Sequence, residues 1–249
     1  MRVAPVTGAS SGIGRATAER LGRDGWRVLP LARRADRLEE LAAKLGNARA
    51  VPADVTDEDA PARLREAAEQ EGTLHLLVNN AGSVWRASFA DGGAENVRRT
   101  MALDFDSVVR LTEALLPLLR HSAPSSIVNA SSTAGRVALR KQGAYAASKF
   151  ALTGCSEALR LEQRARGVHV GVVLPGFVAT EGFSQQALMR RRLTRWAVSR
   201  PEKVAAAILA AGPSGKAERY VPRAYRLAPR TRMLLPGLFG EGSSASGRG

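Results

Sequence analysis

The chain has 249 residues, with 37 Lys and Arg side chains against 23 Asp and Glu, and a formal net charge of +14. A chain of this length can bury a full core, and its 45% hydrophobic and 24% charged residues exclude a disordered polycation. The basic excess by itself leaves nucleic acid, an anionic membrane and an acidic ligand as alternatives.

The single cysteine, Cys155, excludes an internal disulfide framework, and we expect it to be a small buried residue of a helix. No apolar run is long enough to span a membrane, and the first strand-like run leaves no room for a signal peptide. We therefore expect a cytoplasmic protein.

Short apolar runs alternate with longer amphipathic stretches along the chain. Strands are predicted at Val3–Val6, Arg27–Leu31, Ala48–Pro52, Leu74–Val78, Ser126–Asn129, His169–Leu174 and Arg219–Val221. Helices are predicted at Ile13–Arg23, Ala35–Leu45, Glu58–Glu71, Glu95–Arg120, Gly143–Arg166 and Pro201–Ala211. Apolar strands that alternate with helices are typical of a parallel sheet covered on both faces. We therefore expect an α/β fold with a doubly wound parallel sheet of about seven strands.

No linker interrupts this alternation, so we expect a single domain over residues 1–239 and a frayed Gly/Ser-rich tail at 240–249. Pro5 and Pro30 fall inside predicted strands, where a missing N–H weakens the hydrogen-bond ladder. Either these strands are bulged locally, or their register places the gap where it does no harm.

A glycine-rich turn follows the first strand and opens a helix, with the sequence Thr7-Gly8-Ala9-Ser10-Ser11-Gly12-Ile13-Gly14. Gly8 can adopt a tight turn, Gly12 lets the backbone approach a pyrophosphate, and Gly14 permits close packing of helix on strand. Three glycines in a turn are also compatible with an ordinary loop between strand and helix.

Further motifs stand after the later strands: Asp54-Val55, Asn79-Asn80-Ala81-Gly82, Ser131-Ser132, Tyr145-x-x-x-Lys149 and Pro175-Gly176. Together with the T-G-x-x-x-G-x-G turn, this pattern resembles the short-chain dehydrogenase/reductase family over nearly the whole chain. The resemblance implies a Rossmann-like fold and an oxidoreductase that interconverts a carbonyl and a secondary alcohol on a small-molecule substrate. It also implies a homodimer or homotetramer formed through the two long helices.

The resemblance assigns a nicotinamide dinucleotide to the turn, and the end of the second strand indicates which one. Ala32-Arg33-Arg34 stands where an NAD enzyme usually has an acidic residue, and a guanidinium can bind a 2′-phosphate. We therefore favour NADP(H) over NAD(H), with Arg33 at the phosphate-reading position and Arg34 as either a second ligand or a loop cap. The cofactor residues implied by resemblance are Gly8, Ser10, Ser11, Gly12, Ile13, Gly14, Asp54, Val55, Asn80, Ala81, Gly82, Tyr145, Lys149, Pro175, Gly176, Val178 and Thr180.

Tyr145 and Lys149 are four residues apart in a helical segment and project from one face. A nearby ammonium favours the phenolate, so we expect Lys149 to bring the pKa of Tyr145 toward neutrality. Tyr145 would then exchange a proton with the substrate oxygen, which Ser132 would polarise. Its neighbour Ser131 is the alternative, and the spacing to Tyr145 favours Ser132 by resemblance.

One position departs from the family pattern. Asp104 stands where the family usually has an Asn that completes a proton relay, and Ser107 stands where Gly is common. By resemblance the Asn acts through its main-chain carbonyl and a water, in which case Asp is tolerated. The alternative is that an ionised Asp104 holds the Lys149 ammonium charged, with low activity or a changed pH optimum as the result.

The competing hypothesis is a basic NADP-binding protein with weak or no catalysis. No aromatic-rich basic face interleaves the arginines, so we expect no nucleic-acid partner. His75, His121 and His169 lack ligand spacing, so we expect no metal site. Trp85 either contacts substrate or packs at an edge.

The segment Glu181–Arg200 is expected to close over the substrate, by resemblance. Its apolar residues Phe183, Leu188, Met189, Leu193 and Trp196 suggest a hydrophobic substrate. Residues 182–249 hold thirteen basic and three acidic side chains, so most of the net charge lies here. Arg190–Arg192, Arg223, Arg226, Arg230 and Arg232 stand among Leu227, Met233, Leu234 and Leu235. This part either meets an anionic membrane or acidic carrier near the active-site mouth, or is a solvated face.

Overall fold

A computed structural model describes residues 1–181, 197–213 and 215–234 of the chain. The strands are β1 (Val3–Thr7), β2 (Arg27–Ala32), β3 (Val51–Pro52), β4 (Leu76–Asn79), β5 (Ser125–Ala130), β6 (Val168–Pro175), β7 (Phe177–Val178), β8 (Val198–Ser199) and β9 (Glu218–Val221). The α-helices are α1 (Gly12–Arg23), α2 (Ala35–Leu45), α3 (Ala60–Glu69), α4 (Phe89–Met101), α5 (Ser107–His121), α6 (Gly143–Gln163), α7 (Pro201–Ala211) and α8 (Leu227–Leu234). Most of the expected substrate lid, the run Arg190–Arg192, Leu235 and the tail 240–249 lie outside the described residues, as do Phe183, Leu188, Met189, Leu193 and Trp196.

Seven of the described strands form one sheet in the order β3-β2-β1-β4-β5-β6-β9. Every neighbouring pair is parallel. The carboxyl ends of all seven strands therefore meet at one edge, with the order reversing beside β1 as in doubly wound sheets. The predicted fold class is confirmed. A short parallel pair of β7 and β8 stands beside this sheet and was not predicted.

The sheet is buried on both faces, which explains why its strands are apolar throughout. On β2, Val28 and Ala32 join one core cluster, whereas Leu29 and Leu31 join the other. Helices α1 and α7 pack together on the first face, and α3 and α5 pack together on the second.

The register passes through both prolines without a bulge, because Pro5 pairs with Leu29 and Pro30 pairs with Val6. The backbone groups of Val28 and Ala32 hydrogen-bond on the β3 side of β2. Every second residue of a strand bonds to the same side, so the missing N–H of Pro30 also faces β3, an edge strand of two residues. Val3 bonds toward β4, so the gap at Pro5 faces β4, which pairs with β1 at a single position. The prolines thus lie where few ladder bonds are made.

The helix predicted at Glu95–Arg120 differs most from the structure. Helix α4 is broken at Gly93, whose φ of 43° and ψ of −144° are not helical, so the helix after this kink begins close to the predicted Glu95. Ala102–Asp106 then forms a π-helical turn between α4 and α5. Such turns insert an extra residue, which a 3.6-residue periodicity does not reveal. Within the described ranges, no helix combines the length and the apolar content needed to cross a membrane.

The expectation that Cys155 is buried was wrong, because its side chain is exposed. Leu152, Thr153 and Ser156 occupy the buried face of α6, and Cys155 falls outside that face.

Candidate functional site

A continuous cleft of about 1470 Å³ opens along the carboxyl edge of the sheet. It brings together nearly all of the site residues predicted from the sequence: Gly8, Ser10, Ser11, Gly12, Ile13, Arg33, Arg34, Asp54, Val55, Asn80, Ala81, Gly82, Ser132, Tyr145, Lys149, Pro175, Gly176, Val178 and Thr180. Gly14 and Asp104 do not line the cleft, and both act behind its wall. The parallel topology causes much of this convergence, because the glycine turn and the motifs at Asp54, Asn80, Ser132 and Pro175 stand at the carboxyl ends of strands of one sheet. Tyr145 and Lys149 reach the cleft from α6.

Two glycines of the first turn adopt left-handed backbone angles, with φ of +67° at Gly8 and +55° at Gly12. Gly14 is needed for packing, since a Cβ on it would lie 2.3 Å from the carbonyl oxygen of Gly8. The side chain of Ser11 at the N-cap makes no capping bond in the described chain. The first-turn N–H groups of α1 and its positive dipole end therefore face the cleft without a side-chain anion, which fits a dinucleotide phosphate.

The turn is held against β4 by a small hydrogen-bond network. The hydroxyl of Thr7 accepts hydrogen bonds from the backbone N–H groups of Asn80 and Ala81, both at 2.9 Å. The Asn80 amide in turn donates to the backbone oxygen of Thr7 at 3.0 Å. These contacts couple the motifs after β1 and β4 into one rigid wall.

The two arginines after β2 take different positions. Arg34 donates from Nη2 to Ser10 Oγ at 2.9 Å and to Ser11 Oγ at 2.8 Å, so its guanidinium lies against the glycine turn. Arg33 is 78% exposed, with Nη1 at 3.6 Å from Asp54 Oδ2. Burial raises the pKa of Asp54, but the bonds from Thr56 and the charge of Arg33 outweigh it, so the net pKa is lowered. Two guanidinium groups therefore stand at this end of the cleft beside an ionised carboxylate.

Tyr145, Lys149 and Ser132 lie together at the centre of the cleft. Lys149 Nζ is 5.6 Å from the centre of the Tyr145 ring and donates to the backbone oxygen of Ala130 at 3.2 Å. Ser132 Oγ donates to the backbone oxygen of Pro175 at 3.4 Å and accepts from the backbone N–H of Ala134 at 3.1 Å.

The hydroxyl of the alternative serine, Ser131, is engaged elsewhere. It donates to the backbone oxygen of Lys149 at 3.1 Å and shares a bond of 2.8 Å with Thr153 Oγ1. Ser131 thus ties β5 to α6, whereas Ser132 lines the cleft, as Tyr145 does.

The expected direction of the Tyr145 pKa was wrong. Burial raises this pKa, the Lys149 ammonium lowers it, and the carboxylate of Asp104 raises it again. The net shift is upward because desolvation of the phenolate exceeds the attraction of one ammonium.

Asp104 is fully buried behind Gly82. Its Oδ1 accepts from the backbone N–H of Ser83 at 2.9 Å, and its Oδ2 accepts from Ser148 Oγ at 3.4 Å. A Cβ on Gly82 would lie 2.8 Å from Asp104 Oδ1 and 3.3 Å from Lys149 Nζ, so this glycine separates the two charges. Burial raises the pKa of Asp104, and the Lys149 charge and the two hydrogen bonds oppose that shift without cancelling it.

The lining of the cleft includes residues that sequence reasoning missed. Tyr225, Ala228 and Pro229 come from the C-terminal part, and Val137 and Leu139 come from the segment after β5. A Cβ on Gly176 would lie 1.9 Å from Tyr225 Cε2, so the glycine after Pro175 makes room for this ring. Tyr225 Oη donates to the backbone oxygen of Ala197 at 3.1 Å. The Pro175-Gly176 pair was the sequence signal for this contact with Tyr225, but a Pro-Gly pair by itself indicates only a turn.

Trp85 also lines the cleft, with the Arg99 guanidinium 4.9 Å from its ring centre. Of the two alternatives raised for this residue, the structure therefore places it at the cleft.

Comparisons with known proteins agree with this architecture. A family model described as short chain dehydrogenase matches residues 2–190. The rhamnolipids biosynthesis 3-oxoacyl-[acyl-carrier-protein] reductase of Pseudomonas aeruginosa is 38% identical over 184 residues, covering 70% of this chain and 72% of that protein. Dehydrogenase/reductase SDR family member 7B of Bos taurus is 33% identical, covering 95% of this chain and 78% of that protein.

A solved structure of the Pseudomonas aeruginosa RhlG/NADP active-site complex has a TM-score of 0.78 at 32% identity, covering 90% of this chain and 96% of that chain. The glycine turn, the carboxyl-edge cleft and these matches lead to one assignment. The chain belongs to the short-chain dehydrogenase family of oxidoreductases.

Proposed function

We propose that the protein is an NADP(H)-dependent oxidoreductase that interconverts a carbonyl and a secondary alcohol on an apolar substrate. The observation that supports this most directly is the meeting of Ser132, Tyr145 and Lys149 at the centre of the cleft. Ser132 and Tyr145 both line the cleft, and Lys149 Nζ lies 5.6 Å from the centre of the Tyr145 ring. A protein that only binds a dinucleotide has no need of all three groups.

Tyr145 is the proposed proton donor for reduction. When bound, the dinucleotide supplies a hydride for the carbonyl carbon. The phenol of Tyr145 gives its proton to the carbonyl oxygen, and Ser132 donates a hydrogen bond to that same oxygen. Burial raises the pKa of Tyr145, so the phenol is protonated at neutral pH and ready to act as an acid. The Lys149 ammonium then stabilises the phenolate that remains.

Substitution of Tyr145 by Phe tests this assignment. We expect NADPH oxidation with a panel of ketones and 3-oxoacyl thioesters to fall by about 10²–10⁴-fold, because the proton donor is removed. Tyr220→Phe on β9 is the matched control, since Tyr220 does not line the cleft. Equal rates for the two variants would overturn the role of Tyr145. Bound NADPH without turnover by the wild type would favour the alternative of a basic dinucleotide-binding protein.

The NADP(H) preference rests on the two guanidinium groups at the end of β2. Arg34 lies against Ser10 and Ser11 of the phosphate turn, and Arg33 is exposed beside Asp54. Two cations suit a 2′-phosphate and offer little to the hydroxyls of an NAD ribose. The similar Pseudomonas structure is a complex with NADP, which points the same way.

Reversing the charge of Arg33 tests the preference. We expect Arg33→Asp to lower the ratio of kcat/KM for NADPH over NADH by about 10-fold or more, since a hydrogen bond between charged groups contributes about 1.5–3 kcal/mol. Arg20→Asp is the control, because Arg20 lies in the last turn of α1 and pairs with Asp24. A ratio unchanged from wild type would refute Arg33 as a phosphate ligand and leave Arg34→Ala as the next variant.

The cleft also supports the proposed substrate class. Trp85, Val137, Leu139, Ala228 and Pro229 are among its lining residues, and they suit an apolar group beside the reacting carbonyl. The name of the Pseudomonas relative specifies a 3-oxoacyl substrate, which is the reason for including such thioesters in the panel.

A further inference from the structure

Two basic segments form one edge of the cleft. We call residues 136–142 and 222–234 together the cleft rim. Val137 and Leu139 of the first segment line the cleft, as do Tyr225, Ala228 and Pro229 of the second. Arg232 of α8 donates from Nη1 to the backbone oxygen of Arg136 at 2.9 Å, which joins the two segments into one surface.

The cleft rim exposes large apolar side chains to solvent. Leu139 is 49% exposed, Leu227 55%, Met233 77% and Leu234 73%. The same short stretch of chain therefore contributes Ala228 and Pro229 to the wall of the cleft and projects three apolar side chains outward. Apolar groups concentrated beside a functional opening indicate a surface that is covered during function.

The charge of the cleft rim has a single sign. Its two segments contain seven basic residues and no acidic one. Arg136 is neutralised by Glu157 and Glu218. Arg223, Arg226 and Arg230 are exposed and form no ion pair with any residue that the structure describes. Unpaired arginines interleaved with exposed Leu and Met are typical of surfaces that bind anionic lipids.

We propose that the cleft rim docks on an anionic lipid bilayer, with Leu227, Met233 and Leu234 entering the headgroup region and the arginines binding lipid phosphates. The cleft then opens toward the membrane. This inference rests on the proposed function, and it identifies the substrate class as carbonyl compounds that are carried in the bilayer.

Two other occupants fit less well. A two-fold contact with a second copy would bring arginines against arginines, because the same patch meets itself. An acidic carrier protein would complement the positive charge of the cleft rim. It would not account for the exposed apolar side chains of the rim, which form no groove among the described residues. A bilayer satisfies both the charge and the exposed apolar groups.

Vesicle cosedimentation of the full chain tests the proposal without any measurement of activity. The vesicles are phosphatidylcholine alone, or phosphatidylcholine mixed with phosphatidylglycerol. We expect binding to the mixed vesicles, weakened by about fivefold for each arginine removed in Arg226→Gln/Arg230→Gln. Arg164→Gln/Arg166→Gln removes the same charge from the opposite edge of the sheet, before β6, and is expected to bind as the wild type does.

The apolar contribution has its own variant. Met233→Ser/Leu234→Ser is expected to weaken binding, whereas Leu161→Ser is not, although Leu161 on α6 is 73% exposed. Thermal unfolding of each variant checks that the fold is retained. Turnover of a water-soluble ketone is expected to be the same in all variants, so a failure of the proposed reaction would show there and not in the binding assay.

Three results would overturn the proposal. These are no binding of the wild type to mixed vesicles, equal losses in the rim variants and their controls, or binding to an acidic acyl carrier protein in place of vesicles. Dimerisation that the rim variants abolish would assign the surface to a second copy of the chain.

Discussion

The carboxylate of Asp104 and the ammonium of Lys149 both lie next to Gly82. The family pattern has a neutral amide at this position, so the oxygen that replaces the amide nitrogen introduces a negative charge into the centre of the site. That charge raises the pKa of Tyr145, in the same direction as burial. Asp104 does not line the cleft, so we expect any effect on the reaction to pass through the charge of Lys149 and the pKa of Tyr145.

Replacing Asp104 by Asn is expected to move the pH–rate profile of carbonyl reduction. Removal of the charge lowers the pKa of Tyr145, so the phenol loses its proton at a lower pH and the alkaline fall in kcat begins earlier. Asp106→Asn, two residues along and exposed, makes the same change of charge outside the site. The measurement is kcat against pH for wild type and both variants, and coincident profiles would show that Asp104 is electrostatically silent.

The raised pKa of Asp104 also predicts how the Asp104→Asn substitution changes the stability of the fold. The folded state holds the proton of Asp104 more tightly than the unfolded chain does, so this group lowers stability as the pH rises above its unfolded pKa. We expect Asp104→Asn to raise the urea midpoint at neutral pH, with a gain that declines as the pH falls. A gain that is constant with pH would contradict this linkage.

At the scale of the element, the π-helical turn Ala102–Asp106 brings Asp104 to its place. Residues that bond to it come from the loop after β4 and from α6, namely Ser83 and Ser148. The periodicity of residues 95–120 predicted an uninterrupted helix, because one extra residue in a single turn barely changes an apolar pattern. The boundaries of α1, α2 and α7 were predictable to within a residue, since each has a complete amphipathic face and clear flanking residues.

Two helical glycines allow a paired test of local structure. In Gly14→Ala the new Cβ would lie 2.3 Å from the oxygen of Gly8, so we expect the phosphate turn to shift and NADPH affinity to be lost. In Gly154→Ala the Cβ meets nothing within 4 Å, and we expect a gain of about 0.5–1 kcal/mol from the reduced entropy of the unfolded chain. Urea unfolding and NADPH titration of both variants measure these effects. Unchanged NADPH binding by the Gly14 variant would show that the turn adapts.

At the scale of the whole molecule, a buried polar network joins two strands of the sheet to two helices on one of its faces. Asn79 on β4 donates to Asn129 Oδ1 on β5 at 2.9 Å and to Thr112 on α5 at 3.2 Å. Asn129 donates in turn to Ser156 on α6 at 2.8 Å. This network lies just beneath the strand ends that carry the motifs, so it fixes their spacing.

Removing Asn129 is expected to weaken the fold as a whole. Asn129→Ala leaves the buried amide of Asn79 without one partner, and we expect a loss of about 1–3 kcal/mol in the free energy of unfolding. Gln70→Ala, at an exposed amide after α3, is expected to cost little. Urea denaturation compares the two, and equal midpoints would show that the network adds nothing to stability.

The sequence by itself determined the fold class and the order of the motifs. Apolar strands alternating with amphipathic helices dictate a parallel sheet, and a parallel sheet places every motif that follows a strand at one edge. Gly8, Ser132, Tyr145 and Lys149 were therefore predictable as neighbours, because their proximity follows from topology.

Only the tertiary structure decided the contacts and the electrostatics inside the site. The arrival of Tyr225, the position of Asp104 behind Gly82 and the upward shift in the pKa of Tyr145 depend on burial and on pairs of residues far apart in the chain. Local patterns record which face of an element is apolar. They do not record how much water a packed neighbour removes from a charge, and that desolvation is the largest cause of the upward pKa shifts of Tyr145 and Asp104.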